Sequence, residues 1–159
     1  DNKIKKIALA LSKRDKMFFI GRGIDYLISK EASLKLKEIT YIFSSAESAG
    51  ELKHGVIALI DEKVTVVVIA TDENLLNKTL NNAYEIKARG GKLILFTSLS
   101  IDNQTLSNFD QVIKTTQTDI DFMPMQIMLQ LQKLAYFTST AKGYNPDMPR
   151  NLAKSVTVE

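Results

Sequence analysis

Cysteine is absent from this chain of 159 residues, and histidine occurs once, as His54. Without cysteine there is no disulfide framework, no thiolate nucleophile and no thiolate metal site, a pattern that fits a cytosolic protein. A zinc site would need carboxylates for nearly all of its ligands. We therefore expect neither a metal nor another cofactor.

Long apolar runs and clusters of one charge are also missing. The longest strongly apolar run, residues 64–70, is too short to cross a bilayer. No secretory signal opens the chain, and its first residue is Asp1 rather than Met, so we expect a piece of a longer protein. The net charge is +3, but Lys and Arg are scattered along the sequence. The sequence predicts a cytoplasmic location, with no membrane and no nucleic-acid partner.

Three common nucleotide and hydrolase motifs are incomplete or missing. Gly21 and Gly23 follow a predicted strand, but the dinucleotide motif GxGxxG needs glycine where Tyr26 stands. Neither the P-loop motif nor the GxSxG nucleophile motif occurs. A tight turn that carries Arg22 remains, and both a structural and a functional role for it stay open.

Apolar patterns alternate between helical and strand spacing along the chain. They predict helices at residues 4–13, 25–43, 74–89 and 122–141, and strands from Met17, at 64–70, at 92–96 and around 111–114. Residues 44–55 are predicted to form a loop with one helical turn, and a fifth strand is expected before Val64. Such alternation predicts a three-layer α/β/α sandwich around a mainly parallel sheet of about five strands. Ligands of such sheets bind at the carboxyl ends of the strands.

The helix predicted at residues 25–43 carries three charges in an unusual place. At about 100° per residue, its apolar residues form one broad sector that includes Leu27 and Leu34. The opposite, solvated face is made of Ser29, Lys30, Ser33, Lys37 and Thr40. Glu31, Lys35 and Glu38 fall inside the apolar sector, where charges are costly unless they are paired. Their spacing lets neighbours touch, so a buried ion network and a polar cleft with a general base both remain possible.

Two further segments are harder to assign from their patterns. His54 lies in GELKHG, a polar loop bounded by glycines, and a lone histidine is more often structural than catalytic. Pro146 and Pro149 prevent a helix in the last 14 residues, for which composition alone predicts disorder.

Five motifs in order nevertheless resemble a known family. GRGxxY, EASLKLKEITYI, ESAGELKHG, ALID and the terminal PRNLAKSVTVE are together similar to the second sugar-isomerase (SIS) domain of the glucosamine-6-phosphate synthases, the isomerising glutamine–fructose-6-phosphate aminotransferases. The resemblance covers essentially the whole chain. It implies a flavodoxin-like SIS domain at residues 1–145 and a tail, 146–159, that contributes to the active site. Val56 departs from the proline usual in the family, which should alter loop rigidity rather than chemistry.

The resemblance also implies a reaction and a set of roles. The family joins ammonia from glutamine to fructose 6-phosphate and isomerises the product to glucosamine 6-phosphate, a step of amino-sugar biosynthesis. Glu38 matches the base that moves a proton between C1 and C2, and Lys35 matches a nearby active-site lysine. His54 matches a histidine that assists ring opening in the neighbouring subunit of a homodimer. Lys154 matches the lysine that forms an imine with the open-chain ketose, and Ala153 contacts the sugar.

Other parts of such an enzyme are not in this sequence. The family adds a glutaminase domain and a first SIS domain whose Ser and Thr loops hold the sugar phosphate. We therefore expect little or no synthase activity from this chain alone. A non-catalytic phosphosugar-binding module and a stand-alone phosphosugar isomerase are the alternatives. The first should carry an effector segment and the second its own phosphate loop, whereas the tail favours the synthase.

Overall fold

The computed structural model describes residues 2–152, and within them five parallel strands form one sheet between two layers of helices. The elements in chain order are α1 Asn2–Leu11, β1 Lys16–Gly21, α2 Ile24–Thr40, β2 Phe43–Ser48, β3 Thr65–Ala70, α3 Glu73–Lys87, β4 Lys92–Thr97, α4 Asn103–Leu106, β5 Gln111–Lys114 and α5 Met123–Ala141. Two 3₁₀ helices, Ala49–His54 and Val56–Leu59, connect β2 to β3. The expected α/β/α sandwich is confirmed.

The sheet is buried on both faces because its side chains alternate between two cores. Met17, Phe19 and Val67 join a cluster with α1, α2 and α5 on one face. Phe18 and Val66 join a second cluster with α3 and the first 3₁₀ helix on the other. Every residue of β3 is buried, as continuous apolar runs in parallel sheets usually are.

The strand order creates a topological switch point at the carboxyl edge of the sheet. The order is β2-β1-β3-β4-β5, so the chain leaves β1 for β2 on one side and returns to β3 on the other. Gly21 ends β1 there, and a Cβ on it would lie 2.5 Å from the Asp25 carbonyl. Only glycine therefore lets α2 start so close to β1.

The helix predicted at residues 25–43 is too long in the prediction, because α2 ends at Thr40. Tyr41 follows in the left-handed conformation, with φ 58°, and its backbone N–H donates to Lys37 O. Phe43 then begins β2. Left-handed caps are usually glycine or asparagine, so a tyrosine gave no signal for the helix end.

The buried face of α2 also differs from the prediction. Leu27 and Leu34 are 56% and 42% exposed, whereas Ser29, Ser33 and Thr40 are buried. The Ser29 and Thr40 hydroxyls donate to the carbonyl four residues earlier, at 2.8 and 2.7 Å, and Ser33 donates across to β2 at 3.0 Å. Small side chains that satisfy their own hydrogen bonds let the helix lie close to the sheet.

The segment predicted as a loop at residues 44–55 contains a strand and a 3₁₀ helix. Ser44 to Ser48 pair in parallel with β1, and they supply the fifth strand expected before Val64. The strand lies at the sheet edge and is mostly half-buried, which explains its polar sequence. None of the helices in residues 2–152 is long and apolar enough to span a bilayer.

Candidate active site on helix α2

An ion network follows the outer side of α2. The Lys35 ammonium lies 2.8 Å from Glu38 Oε2 and 3.7 Å from Glu31 Oε1. The side chains of Glu31, Lys35 and Glu38 are 49%, 37% and 26% exposed. The expectation that Glu31 pairs with Lys35 is confirmed, and the expectation that the three charges are buried is wrong, since α2 presents a different face to the core.

Lys35 is held in its charged form by this network. Its hydrogen bond to Glu38, reinforced by the two carboxylate charges, raises the pKa of Lys35 against the smaller effect of burial. Lys35 is therefore a cation at neutral pH. It is suited to bind an anionic oxygen and to fix the direction of the Glu38 carboxylate, and it is not suited to accept a proton.

An open cleft of about 470 Å³ separates this side of α2 from the edge strand β2. Its lining mixes leucines, charges and small residues, namely Leu27, Lys30, Glu31, Ser33, Leu34, Lys37, Ser45 and Ala46. Exposed apolar residues that are grouped with charges are typical of surfaces that contact another protein surface. A single chain leaves the side of α2 with the Lys35–Glu38 pair open.

His54 does not join that pair in this chain. It is the exposed last residue of the first 3₁₀ helix, whose Ala49 and Leu52 pack in the core on the α3 side of the sheet. The neighbouring Lys53 pairs with Glu85 of α3 at 3.0 Å. Because α2 lies on the opposite face, one subunit holds Glu38 and His54 apart.

The Gly21-Arg22-Gly23 turn has a structural role in this arrangement. The Arg22 guanidinium donates to Asn82 Oδ1 on α3 at 2.8 Å. It also lies against Gly50, where an added Cβ would be 3.2 Å from Arg22 Nη1. Arg22 thus fastens the end of β1 to α3 and to the start of the 3₁₀ helix that ends at His54.

Asp25 is a buried residue that the sequence patterns did not single out. It lies in the first turn of α2, is 2% exposed, and its carboxylate accepts hydrogen bonds from both the backbone N–H and the hydroxyl of Thr71. Burial raises the pKa of Asp25, although the hydrogen bonds from Thr71 act to lower it. The carboxylate joins α2 to the end of β3 at the switch point. An acid directly after a glycine turn, with a threonine at the end of a later strand, was the available signal.

The tail is described only as far as Leu152, so Ala153 and Lys154 lie outside the described residues. Before that point the chain returns to the end of α2. There the backbone N–H of Arg150 donates to the Tyr41 hydroxyl at 2.8 Å.

These features define a doubly wound α/β domain with a charged, open face on the helix that follows its first strand. The family model for the SIS domain matches residues 10–137, so the chain belongs to the SIS domain family.

Similar proteins extend this assignment. The chain is 45% identical over 163 residues to glutamine–fructose-6-phosphate aminotransferase (isomerizing) of Clostridium tetani, covering 100% of this chain and 26% of that protein. The solved C-terminal domain of glucosamine-fructose-6-phosphate aminotransferase from Francisella tularensis superposes with a TM-score of 0.82 at 38% identity, over 91% of this chain and 40% of that one. Tagatose-6-phosphate ketose/aldose isomerase from Escherichia coli, at 20% identity and a TM-score of 0.73 over 95% and 45% of the two chains, shares the fold alone.

The resemblance carried by the motifs is thereby confirmed. The chain spans about a quarter of the length of the curated relatives it matches, and it superposes on the domain described as C-terminal.

Proposed function

We propose that this chain supplies the isomerising residues of a glutamine–fructose-6-phosphate aminotransferase, an enzyme that makes glucosamine 6-phosphate from fructose 6-phosphate and glutamine. The observation that carries the proposal is the 45% identity that runs along the whole chain to a protein of that name. The Lys35–Glu38 pair on an open face of α2 gives the proposal a chemical basis.

Glu38 is the proposed base for the proton transfer. Once the amine has condensed at C2 of the open-chain sugar, the Glu38 carboxylate takes a proton from C1. The C–H electrons form a C1–C2 double bond while the C2 nitrogen gains a proton and becomes an amine. Return of the proton to C2 then leaves an aldehyde at C1. Lys35, as a cation beside Glu38, orients the carboxylate and stabilises negative charge on a nearby oxygen.

Three further residues are assigned from the motifs. The Lys154 amine attacks the ketone of the open-chain sugar, and loss of water gives an imine. Ala153 contacts the sugar beside it, which gives the tail, residues 146–159, a part in the site separate from the SIS domain at 1–145. His54 assists ring opening in the neighbouring subunit of a homodimer. Its position on the face opposite Glu38 supports a role in a site other than its own.

The remaining parts of the site come from other domains of the full-length protein. The open cleft beside α2 supports contact with a first SIS domain, whose hydroxyl-rich loops hold the phosphate. A glutaminase domain supplies the ammonia. The match of this chain to about a quarter of its relatives fits that division of labour.

Product analysis of the full-length protein tests the proposal. With fructose 6-phosphate and glutamine, it should form glucosamine 6-phosphate, detected by mass spectrometry, whereas residues 1–159 alone should form little or none. Interconversion of phosphosugars by this chain without glutamine would identify a stand-alone isomerase. Phosphosugar binding without turnover by the full-length protein would identify a sensor module.

A further inference from the structure

Tyr41 occupies a strained position directly after the helix that holds Glu38. Its φ of 58° and ψ of 16° lie in the left-handed region, which residues with a bulky side chain seldom adopt. Its backbone N–H closes the last turn of α2 on Lys37 O at 3.2 Å. A conformation of this kind persists where surrounding contacts fix it.

Those contacts come from the chain that follows α5. The ring of Tyr144 meets the Tyr41 ring edge-on, with centroids 5.0 Å apart. The Arg150 guanidinium lies 4.0 Å from the Tyr41 centroid, and the Lys142 ammonium lies 5.9 Å from the Tyr144 centroid. Two cations thus flank two aromatic rings, an arrangement that favours both cation–π contacts. We name Lys142, Tyr144 and Arg150, together with Tyr41, the tail clasp.

Hydrogen bonds fasten the same segment to the end of α2. The Arg150 backbone N–H donates to the Tyr41 hydroxyl at 2.8 Å. Earlier in the segment, the Ser139 hydroxyl donates to Ile39 O at 2.7 Å, and Lys142 Nζ donates to Ser12 O at 3.3 Å. The chain is therefore held at several points before it continues past Leu152.

The spacing of the clasp relates the two proposed catalytic regions. Glu38 precedes Tyr41 by three residues, which is a rise of about 4.5 Å along a helix. Lys154 follows Arg150 by four residues, and a chain of that length reaches about 14 Å at most. Tyr41 thus lies next to Glu38 and fixes the point from which the residues leading to Lys154 depart.

We propose that Tyr41 is a positioning residue for the reaction, which acts by fixing the start of the C-terminal tail at the helix that bears Glu38. The inference rests on the proposed function, since it assumes that Lys154 and Glu38 serve one reaction. Holding two reacting groups in place raises the rate, and a small displacement costs a large factor. The clasp does this without any contact between Tyr41 and the sugar.

Substitution of Tyr41 in the full-length protein tests this role. Tyr41→Leu removes both ring and hydroxyl, and it should lower kcat for glucosamine 6-phosphate formation about tenfold. KM for glutamine should stay unchanged, and trypsin should cleave faster after Arg150. Tyr41→Phe keeps the ring contacts with Tyr144 and Arg150 and should restore most of kcat. Tyr136→Leu is the matched control, because Tyr136 is an exposed tyrosine on α5 that packs on Phe137.

The outcomes separate this inference from the proposed function. No product from the unsubstituted protein overturns both. Product from the unsubstituted protein together with an undiminished kcat in Tyr41→Leu, measured well below its melting temperature, overturns the positioning role alone. If Tyr41→Leu fails to fold, Arg150→Gln removes the exposed guanidinium from the tail side of the clasp. It should lower kcat severalfold with an unchanged melting temperature, and normal turnover in it overturns the role.

Discussion

Lys35 Nζ donates a hydrogen bond of 2.8 Å to Glu38 Oε2, one turn along the outer side of α2. Both side chains are more than a quarter exposed. Ion pairs with this exposure contribute about 0–1 kcal/mol to stability. Removal of the pair should therefore leave the fold intact, so a kinetic effect can be told apart from unfolding.

Glu38→Gln provides that separation in the full-length protein. The amide keeps an oxygen that accepts from Lys35 but cannot take a proton, so sugar isomerisation should fall by about 10²- to 10⁴-fold. Glutamine hydrolysis and the melting temperature should change little. Glu31→Gln is the matched control, because Glu31 also pairs with Lys35 on the same helix but has no proposed chemical role. A Glu38→Gln protein that unfolds, with no selective loss of isomerisation, would show that the network is structural.

Asp25 should stabilise the fold through its hydrogen bonds rather than through its charge. Asp25→Ala leaves the Thr71 N–H and hydroxyl without their acceptor, which should cost about 1–3 kcal/mol in the free energy of unfolding. Asp25→Asn retains an oxygen for the N–H and adds a donor for the hydroxyl, so it should cost much less. Urea unfolding of the two variants compares them. Equal destabilisation of both would contradict this account.

The same carboxyl group makes stability depend on pH. Burial raises the pKa of Asp25 above 3.8, so between these two values the folded state binds more protons than the unfolded state. Its contribution to the free energy of unfolding therefore falls as pH rises through that window. Asp25→Asn lacks this titration. Relative to the unsubstituted protein, the variant should gain stability as pH rises from about 4 to about 7, and a constant difference would show that the pKa is unshifted.

Strong apolar patterns predicted most of the fold. The central strands β3 and β4 are buried on both faces, and they are β-branched and aliphatic enough to be recognised directly. β2 was missed because an edge strand buries little, and Phe43–Ser48 is mostly small and polar. The buried face of α2 was misplaced because Ser29 and Ser33 satisfy their hydroxyls locally, and so behave as core residues despite their polarity.

The candidate site was predictable only where its contacts are local in sequence. Spacing of three and four residues on a helix was enough to pair Lys35 with Glu38 and with Glu31. The contact of Asp25 with Thr71 spans 46 residues, and that of Tyr41 with Arg150 spans 109. No local pattern encodes either contact, because each depends on how the sheet brings distant segments together.

Hybrid dimers test whether His54 serves the neighbouring subunit. Glu38→Gln and His54→Ala should each inactivate the full-length homodimer. In a hybrid of the two, the subunit that keeps Glu38 would receive an intact His54 from its partner, so one of its two sites would work. Random reassociation should then restore about a quarter of the original activity. If His54 acts in its own subunit, every site of the hybrid lacks one residue and no activity returns.

Lys154 should form a covalent adduct with the substrate that a reductant can trap. Attack of its amine on the ketone of fructose 6-phosphate, with loss of water, gives an imine, and cyanoborohydride reduces an imine to a stable secondary amine. Peptide mass mapping of the full-length protein should place the sugar on Lys154. Lys154→Arg retains the charge but cannot form the imine, so both the adduct and sugar turnover should be lost. Lys78→Arg, a change at an exposed lysine on α3, should affect neither. Near-normal turnover in Lys154→Arg would rule out a nucleophilic role for this residue.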